Sequence, residues 1–325
     1  MTYKEVKMNT PVLFIIFNRP DTTELVLKVI ARAKPVKLYI AADGPRKSKI
    51  GEKEICEQTR RIAQSVDWDC EVKILFQKEN IGCGRAVSQA ISWFFENEEM
   101  GIILEDDCLP HPIFFDFCES MLIKYKDNDK ISIISGSNFQ KGKKVGNFSY
   151  YFSDIMDIWG WATWARSWKD FKLNVNELDK ILVLAEIKNR FPEKKLNDYW
   201  LKIYEQMRKF EIDTWDYQFY FSQIIKGRIF IYPNVNLISN IGFNDNATHT
   251  LNKQDPFANI PVQAIEFPLK HPTEILANHD ADKFLFDNFV FQKKSLLKRI
   301  ISFVKILMDN SEHFKRIAKN LLFLI

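Results

Sequence analysis

This chain of 325 residues lacks several features that would identify a membrane, secreted or zinc-binding protein. No apolar run is long enough to cross a bilayer, which takes about 20 consecutive apolar residues in a helix. The five cysteines are odd in number and include no CxxC pair, which argues against a disulfide framework and a structural zinc site. The opening segment MTYKEVKMNT carries no apolar stretch, so we expect neither a signal peptide nor an N-terminal anchor. These features favour a protein of the reducing cytoplasm.

Strong charge of either sign is also absent. The formal net charge is +4, with 27% charged and 46% hydrophobic residues. Such a composition is typical of a soluble globular protein, and a mild positive charge does not by itself indicate nucleic acid as a partner. No internal repeat and no linker rich in Pro, Gly or Ser divides the chain. We therefore predict one α/β domain over residues 1–290, followed by basic helices over 291–325.

The C-terminal segment has a basic amphipathic pattern. From Lys293 onward, apolar residues recur at helical spacing with Lys and Arg between them. Helices of this kind bind the surface of anionic membranes, which would place the protein on the inner face of the cell membrane. They can equally pack on the body of the protein or on a second subunit. The sequence leaves both interpretations open.

Short apolar runs alternate with amphipathic stretches in the first third of the chain. The runs are PVLFIIF at 11–17, VKLYIAA at 36–42, EVKILFQ at 71–77 and GIILEDD at 101–107. Between the first two, Asp21 followed by Glu24 predicts the N-cap of a helix. Strands that alternate with helices indicate a mainly parallel sheet covered on both faces. Farther along, we predict a strand at 131–138, helices over 177–211 and 217–227, and a strand pair or a bent strand over 228–242.

The most informative segment is GIILEDDCLPHPIFF at 101–115, where a buried strand runs into Glu105, Asp106 and Asp107. Three adjacent carboxylates repel one another unless a cation or a proton compensates them. Carboxylate oxygens suit Mg²⁺ or Mn²⁺, and these ions usually bring a phosphate with them. The segment therefore predicts a metal and diphosphate site. A solvated acidic turn is the alternative for such a triplet in isolation.

Polar residues also follow the other three strands. They are Asn18 and Arg19, Asp43 and Gly44, and the turn from Gly82 to Arg85. Because ligands of open α/β sheets bind beyond the carboxyl ends of the strands, we expect these residues and the triplet to share one crevice. The glycines of the turn precede a predicted helix, whose first N–H groups favour an anion. Arg85 would add a charge-assisted contact to phosphate.

The glycine turn argues against two nucleotide-binding classes. NIGCGRAV places Val87 where the dinucleotide fingerprint G-x-G-x-x-G has its third glycine, and no G-K-[ST] follows. A NAD-dependent enzyme and a P-loop NTPase are therefore disfavoured. The turn alone is a weak signal, so its meaning depends on the neighbouring strand ends.

Four segments follow one another across residues 11–115, namely FIIFNRP, IAADGPR, ENIGCGRA and ILEDDCLPHPIFF. Their order and spacing resemble the GT-A (Rossmann-like) fold of nucleotide-sugar glycosyltransferases. EDDCLPHPIFF is similar to the metal motif of the N-acetylglucosaminyltransferase I type, and MDIWGWATW to its Gly-Trp acceptor-side loop. TWDYQFYF and RIFIYPNVNLISNIGF resemble its Trp-Asp segment and the strand that follows. The whole chain also resembles bacterial nucleotide-diphospho-sugar transferases of surface polysaccharide loci.

The resemblance implies a donor-binding half over 11–115 and an acceptor-side half over 116–290. It assigns donor binding to Phe17, Asn18, Arg19, Asp43, Gly44, Arg85, Glu105 and Asp106. Asp43 would accept a hydrogen bond from the uracil ring. Asp107 would be the direct ligand of Mn²⁺ or Mg²⁺.

The resemblance also implies a general base. Asp216 follows Trp215 and falls where the family keeps this carboxylate. The family pattern has two adjacent acids, whereas here Tyr217 takes the second place. Asp213 therefore competes with Asp216 for the role.

Two further residues are candidates on their own chemistry. His249, in the loop NDNATHT, can complete the metal shell or contact the diphosphate, and the alternative is a solvated loop histidine. Trp161, Trp164 and Trp168 keep helical spacing, which predicts that part of this set is packed core. We expect Trp161 near the acceptor, because aromatic faces stack on sugar rings, and Trp168 in a structural role.

The predicted reaction needs two kinds of carboxylate. Breaking the bond between an anomeric carbon and a nucleoside diphosphate puts charge on the leaving phosphate, which a metal ion stabilises. A separate base deprotonates the acceptor hydroxyl. We therefore predict a metal-dependent glycosyltransferase that moves a sugar from a nucleotide-sugar donor to a glycan or lipid-linked acceptor. The resemblance implies a UDP-sugar and inversion.

Two other functions compete with this prediction. A nucleotidyltransferase or sugar-nucleotide pyrophosphorylase would use a related sheet, but FNRPDTT is not the Gly-rich basic loop that such enzymes carry after the first strand. A non-catalytic, membrane-associated module would bind a sugar nucleotide without turnover.

Overall fold

The computed structural model describes residues 8–243 and 256–291. They fall into two compact units, the first ending at Phe284 and the second beginning at Leu285. The first contains a mixed, mostly parallel sheet of eight strands with helices packed around it. The predicted α/β class is therefore confirmed. His249 and the basic segment from Lys293 lie outside the described residues, so their predicted roles stay predictions.

Ten strands occur in the described chain. They are β1 Val12–Ile16, β2 Lys37–Ala42, β3 Glu71–Phe76, β4 Met100–Glu105, β5 Cys108–Pro110, β6 Ile131–Ser135, β7 Tyr150–Ser153, β8 Trp161–Trp164, β9 Ile229–Pro233 and β10 Ile238–Asn240.

The helices of the described chain are α1 Pro20–Ala33, α2 Glu52–Ala63, α3 Cys83–Phe95, α4 Phe114–Lys124, α5 Ala165–Trp168, α6 Lys180–Arg190, α7 Lys194–Arg208, α8 Asp216–Ile224 and α9 His279–Leu285. A 3₁₀ turn at Val175–Glu177 and a π-helical turn at Phe286–Val290 complete them. Among these, no helix is both long and apolar enough to cross a membrane.

The strand order of the large sheet is β3-β2-β1-β4-β8-β6-β9-β7. The first four strands are parallel, and Val12 on β1 pairs with Leu38 on one side and Ile102 on the other. The chain therefore steps outward from β1 to β3 and then returns to the opposite side of β1. This reversal puts a topological switch between β1 and β4, where α/β sheets bind their ligands.

The apolar runs explain why these strands lie at the centre. Every residue of β1 is buried, and Gly101 to Leu104 of β4 are buried too. Strands covered on both faces need such continuous apolar sequences. β3 forms an edge of the sheet and exposes Val72 and Ile74, so its burial is only partial.

A small second sheet fixes the chain just after the acid triplet. β5 pairs antiparallel with β10, and Cys108 faces Asn240 in this register. The Ile241 N–H donates to the carbonyl oxygen of Asp107 at 2.9 Å. A Cβ on Gly242 would lie 2.2 Å from Oδ2 of Asp107, so only glycine leaves room for this carboxylate.

One local prediction is wrong. Asp21 is not the N-cap of α1, because the helix already begins at Pro20 and Arg19 is the capping residue. Proline is favoured in the first helical turn, where its missing N–H costs no hydrogen bond. The prediction that part of the tryptophan set is packed core is confirmed, since Trp161, Trp164 and Trp168 are all buried. Trp161 and Trp164 belong to β8. This strand is antiparallel to β4 and β6 and wholly buried between them.

The close packing of β4 against α3 predicts a stability effect. A Cβ on Gly101 would lie 2.3 Å from Cζ of Phe94 and 2.9 Å from the Pro11 carbonyl oxygen. Since Phe94 is fully buried and the carbonyl is backbone, Gly101→Ala should lower the free energy of unfolding by about 1–3 kcal/mol. Urea unfolding followed by circular dichroism measures this. A free energy indistinguishable from that of the wild type would contradict the packing.

Candidate active site

A cavity of about 400 Å³ opens at the carboxyl ends of β1, β2 and β4. It lies at the topological switch, as expected for a ligand site of this fold class. Its walls include all three acids of the triplet, together with Phe17, Arg19, Asp43 and Asp213. Each of the four predicted strand ends thus contributes to one crevice, although Asn18, Gly44 and Arg85 are not among the described residues that line it.

Asp106 joins the ends of the two central strands. The residue is only 5% exposed, and its Oδ2 accepts a hydrogen bond from the Phe17 N–H at 2.9 Å. Its neighbour Asp107 is held from the other side, where Oδ1 accepts from the Cys108 thiol at 3.5 Å. Both carboxylates are thus fixed by backbone and side-chain groups of the sheet.

Arg19 supplies positive charge to this pair. Its Nη1 donates to Oδ1 of Asp106 at 3.1 Å and to Oδ2 of Asp107 at 2.5 Å. Burial by itself would lower the pKa of Arg19, but the attraction of Asp106 and Asp107 outweighs it and raises the pKa. Arg19 therefore stays charged and bridges the two carboxylates.

One guanidinium does not neutralise three carboxylates. Burial, with Asp107 and Asp106 close by, raises the pKa of Glu105 to about 8. Burial and Asp107 also raise the pKa of Asp106, although Arg19 opposes them. The end of β4 therefore retains an excess of negative charge, which favours binding of a proton or a further cation.

Two carboxylates of the triplet, Asp106 and Asp107, are candidate ligands of a divalent cation. A single nitrogen of Arg19 already lies between Asp106 and Asp107, so the two carboxylates converge on a position suited to positive charge. Their hard oxygens are the ligands that Mg²⁺ and Mn²⁺ prefer. Asp107, the predicted direct ligand, and Asp106 would hold the ion.

An arginine without an assigned role forms another part of the wall. Arg46 lines the cavity, and its guanidinium lies 5.4 Å from the centre of the Phe17 ring. Both carboxylate oxygens of Glu52 accept from its Nε at 3.0 Å. Arg46 follows Gly44 by two residues at the end of β2, and this position was its signal in the sequence.

Asn18 and Gly44, which were expected to bind the donor, contact other residues of the protein instead. Asn18 donates from Nδ2 to Oε1 of Glu52 at 2.9 Å. A Cβ on Gly44 would lie 2.3 Å from the backbone carbon of Glu79. Among the described residues of the cavity wall, neither Asn18 nor Gly44 is present.

Asp43 ties the end of β2 to the loop before α3. Its carboxylate accepts from the N–H groups of Gly44 at 2.7 Å and Ile81 at 3.0 Å, and from Nδ2 of Asn80 at 2.8 Å. Burial raises the pKa of Asp43, although these hydrogen bonds oppose the rise. Asp43 lines the cavity, and its hydrogen bonds also hold the loop before α3 in place.

The glycine turn before α3 binds the carboxylate of Asp213. Gly82 has φ of +87°, and α3 begins at Cys83. The Gly84 N–H donates to Oδ1 of Asp213 at 3.1 Å, so this aspartate occupies the helix start where the sequence suggested a phosphate. Arg85 is exposed and is not among the described residues that line the cavity, so its expected contact with diphosphate lacks structural support.

The two candidate bases differ in their surroundings. Asp213 lines the cavity. Asp216 begins α8, and its Oδ1 accepts from the Thr214 hydroxyl and from the Tyr217 N–H, the latter at 2.9 Å. It is nevertheless close enough to raise the pKa of Glu105. Both carboxylates thus lie near the triplet, with Asp213 on the cavity wall.

The tryptophan at the cavity is Trp159. Trp161 is only 1% exposed, and its ring stacks on Trp215 at 5.6 Å. This burial is at odds with the expected acceptor contact, because no ring face is open to a sugar. Trp159 lines the cavity and meets Phe139 and Phe243 edge-on at 5.9 and 5.8 Å.

Among the described residues, a group of three potential metal ligands lies apart from the cavity wall. One ligand atom from each of Asp154, His279 and Asp282 falls within 4.8 Å of the others. Arg190 already forms an ion pair with Asp154, and Asp282 accepts from the Ser153 hydroxyl at 2.5 Å. The spacing would admit a divalent cation, but internal partners already compensate the carboxylates.

No protein-family model matches the chain, and no curated protein matches it. Among solved structures, the mannosyltransferase PcManGT from Pyrobaculum calidifontis, in complex with GDP-Man and Mn²⁺, is 14% identical, with a TM-score of 0.36. The match covers 53% of this chain and 50% of that one. For S. aureus TarS 1–349, the identity is 12%, the TM-score 0.35, and the coverage 52% and 51%.

A UDP-glucose pyrophosphorylase complexed with UDP-glucose is 12% identical, with a TM-score of 0.32, and the match covers 50% of this chain and 79% of that one. The likeness is distant, and it extends to both glycosyltransferases and sugar-nucleotide pyrophosphorylases. The chain spans about half the length of PcManGT and TarS. These identities and TM-scores are too low to support an argument about function.

The raised pKa of Glu105 predicts a dependence of stability on pH. The unfolded chain releases this proton near pH 4.5, whereas the folded chain holds it to about pH 8. The folded state therefore binds more protons between these values, and stability falls as pH rises through this window. In the wild type, this carboxyl lowers the free energy of unfolding by up to ~1.4 kcal/mol for each pH unit. Glu105→Gln has no group that titrates here, so this part of the pH slope should disappear.

Urea unfolding at pH 5 and pH 8 in EDTA measures the effect. The matched control is Glu57→Gln, at an exposed position of α2, which should keep the wild-type slope. An identical pH slope in Glu105→Gln and the wild type would contradict the shifted pKa.

Proposed function

We propose that this chain is a glycosyltransferase that transfers a sugar from a nucleotide-sugar donor to a hydroxyl of an acceptor. The observation that carries the proposal is the cavity at the β1 and β4 switch. There, the bridged pair Asp106 and Asp107 and the separate carboxylate Asp213 face one space. The reaction needs this combination, because one acidic group binds the cation at the leaving phosphate and another takes the acceptor proton.

The nucleotide would bind between Phe17 and Asp43. Phe17 offers an aromatic face beside Arg46, and Asp43 offers carboxylate oxygens to a base with N–H groups, for which uracil is the proposed case. Glu105 would accept from hydroxyls of the ribose or the sugar. The proposed donor is therefore a UDP-sugar.

Asp107, with Asp106, would hold Mn²⁺ or Mg²⁺. When bound, the ion supplies a Lewis acid that neutralises charge on the leaving diphosphate. The protein's own part is to hold the two carboxylates fixed through the Phe17 N–H and through β10. Residues held in this way need not reorganise during the reaction.

Asp213 is the proposed base. Its carboxylate takes the proton of the acceptor hydroxyl, whose oxygen then forms the new bond to the anomeric carbon. The bond from that carbon to the diphosphate breaks, and the nucleoside diphosphate leaves with the electron pair. Attack opposite the leaving group inverts the anomeric configuration. Asp216 stays the alternative base, since it lies near the same acids.

The proposed acceptor is a glycan or a lipid-linked sugar in surface polysaccharide synthesis. Trp159 is the aromatic residue proposed to stack on it, in place of the buried Trp161. Contact with an anionic membrane through residues 293–325, and hence a place on the inner face of the cell membrane, remains a prediction from the sequence.

A donor screen tests the function. UDP-, GDP-, CMP- and dTDP-sugars are incubated with the full chain and MnCl₂, and release of nucleotide and of pyrophosphate is measured separately. We expect release of a nucleoside diphosphate from a UDP-sugar, and its loss in Asp107→Ala. Turnover of none of these donors, or release of pyrophosphate on supplying UTP and a sugar phosphate, would contradict the proposal.

The choice of base yields a separate kinetic prediction. Asp213→Asn removes the proton acceptor but keeps the side-chain volume, so kcat should fall by about 10²–10⁴ while the KM for the donor changes little. Asp216→Asn is the matched comparison, and it should lower kcat by less. Transfer assays with saturating donor measure both. A larger loss in Asp216→Asn than in Asp213→Asn would assign the base to Asp216.

A further inference from the structure

We propose that Arg19 competes with the divalent cation: its guanidinium bridges Asp106 and Asp107, and it leaves Asp107 when the cation binds. The freed guanidinium then pairs with the diphosphate of the donor. The second half of this inference rests on the proposed function, whereas the competition for the carboxylates does not.

The contact of Arg19 with the carboxylates is end-on. Both hydrogen bonds come from Nη1, at 3.1 Å to Asp106 and 2.5 Å to Asp107. A strong arginine–carboxylate pair would use two parallel N–H bonds in a fork. Here one nitrogen acts as a point charge between two carboxylates, which is the role that a bound cation also fills.

The guanidinium is incompletely satisfied in this position. Nε of Arg19 is buried without a hydrogen-bond partner among the described residues. A buried donor without a partner is unfavourable. Moving the side chain toward an anion in the cavity would give Nε a partner, and this gain favours the displacement of Arg19 from Asp107.

The carboxylates are anchored independently of Arg19. Asp106 accepts from the Phe17 N–H, and the backbone of Asp107 is pinned by the Ile241 N–H. Gly242 packs directly on the Asp107 side chain. Departure of Arg19 would therefore leave both carboxylates in place, with their oxygens directed toward the same position.

The charge of the cavity indicates an order of binding. Among the described residues of the wall, five carboxylates face two guanidiniums, and Arg46 is already paired with Glu52. A diphosphate entering such a cavity meets net negative charge while Arg19 is held by the acids. Cation binding adds two positive charges and releases Arg19 toward the donor. The metal should therefore bind before the donor.

Binding of Mn²⁺ to the full chain, followed by electron paramagnetic resonance without any nucleotide, tests the competition. Arg19→Gln removes the competing charge and should bind Mn²⁺ at least about tenfold more tightly than the wild type, a difference of about 1.4 kcal/mol. Arg19→Lys keeps a point charge and should stay near the wild type. Arg46→Gln, a second cavity arginine, is the control for general charge and should change the affinity far less.

The second half is tested by titrating UDP in the presence of saturating MnCl₂. Arg19→Gln should then bind UDP at least about tenfold more weakly, although it binds the metal more tightly. Equal or weaker Mn²⁺ binding in Arg19→Gln, or no Mn²⁺ binding by any variant, would overturn the competition. Tighter Mn²⁺ binding with unchanged UDP affinity would overturn the second half. Inactivity with every sugar donor would refute the proposed function and leave the Mn²⁺ result intact.

Discussion

The organisation of the cavity depends on how the charge at the end of β4 is compensated. A buried apolar strand delivers three adjacent carboxylates to the centre of the sheet, where their mutual repulsion destabilises this end of β4. The Phe17 N–H and the Arg19 guanidinium offset part of this repulsion by binding Asp106. The same two contacts join the end of β4 to the end of β1 at the topological switch. The excess negative charge that remains favours cations in the cavity.

The glycines at the start of α3 also hold a carboxylate in place. Gly82 and Gly84 leave just enough room for Asp213, since a Cβ on either would lie within 2.9 Å of its carboxylate oxygens. The start of α3 thus stabilises a carboxylate of the chain itself, through one N–H and the positive end of the helix dipole. The segment that carries both candidate bases is thereby held against the start of α3, with Asp213 at the cavity wall.

The sequence predicted the parts of the site that depend on the periodicity of apolar residues and on the order of the strands. Continuous apolar runs identified the four parallel strands, and the rule for strand ends brought the acid triplet and Asp43 together. It could not give the direction in which individual side chains point. Trp161 was expected near the acceptor, but it is buried in β8, which lies antiparallel between β4 and β6. Arg85 follows the glycines yet is exposed on α3, whereas Arg46 reaches the cavity because Glu52 holds it there.

Hydrogen exchange followed by mass spectrometry, with and without UDP and MnCl₂, can locate the binding of a nucleoside diphosphate and a divalent cation. If both bind in the cavity at the β1 and β4 switch, we expect slower exchange in peptides that contain Phe17, Gly44–Arg46, Gly82–Gly84 and Asp106–Asp107. Unchanged exchange in these peptides, or slowing confined to the peptides around Asp154 and Asp282, would show that the two ligands do not bind in this cavity.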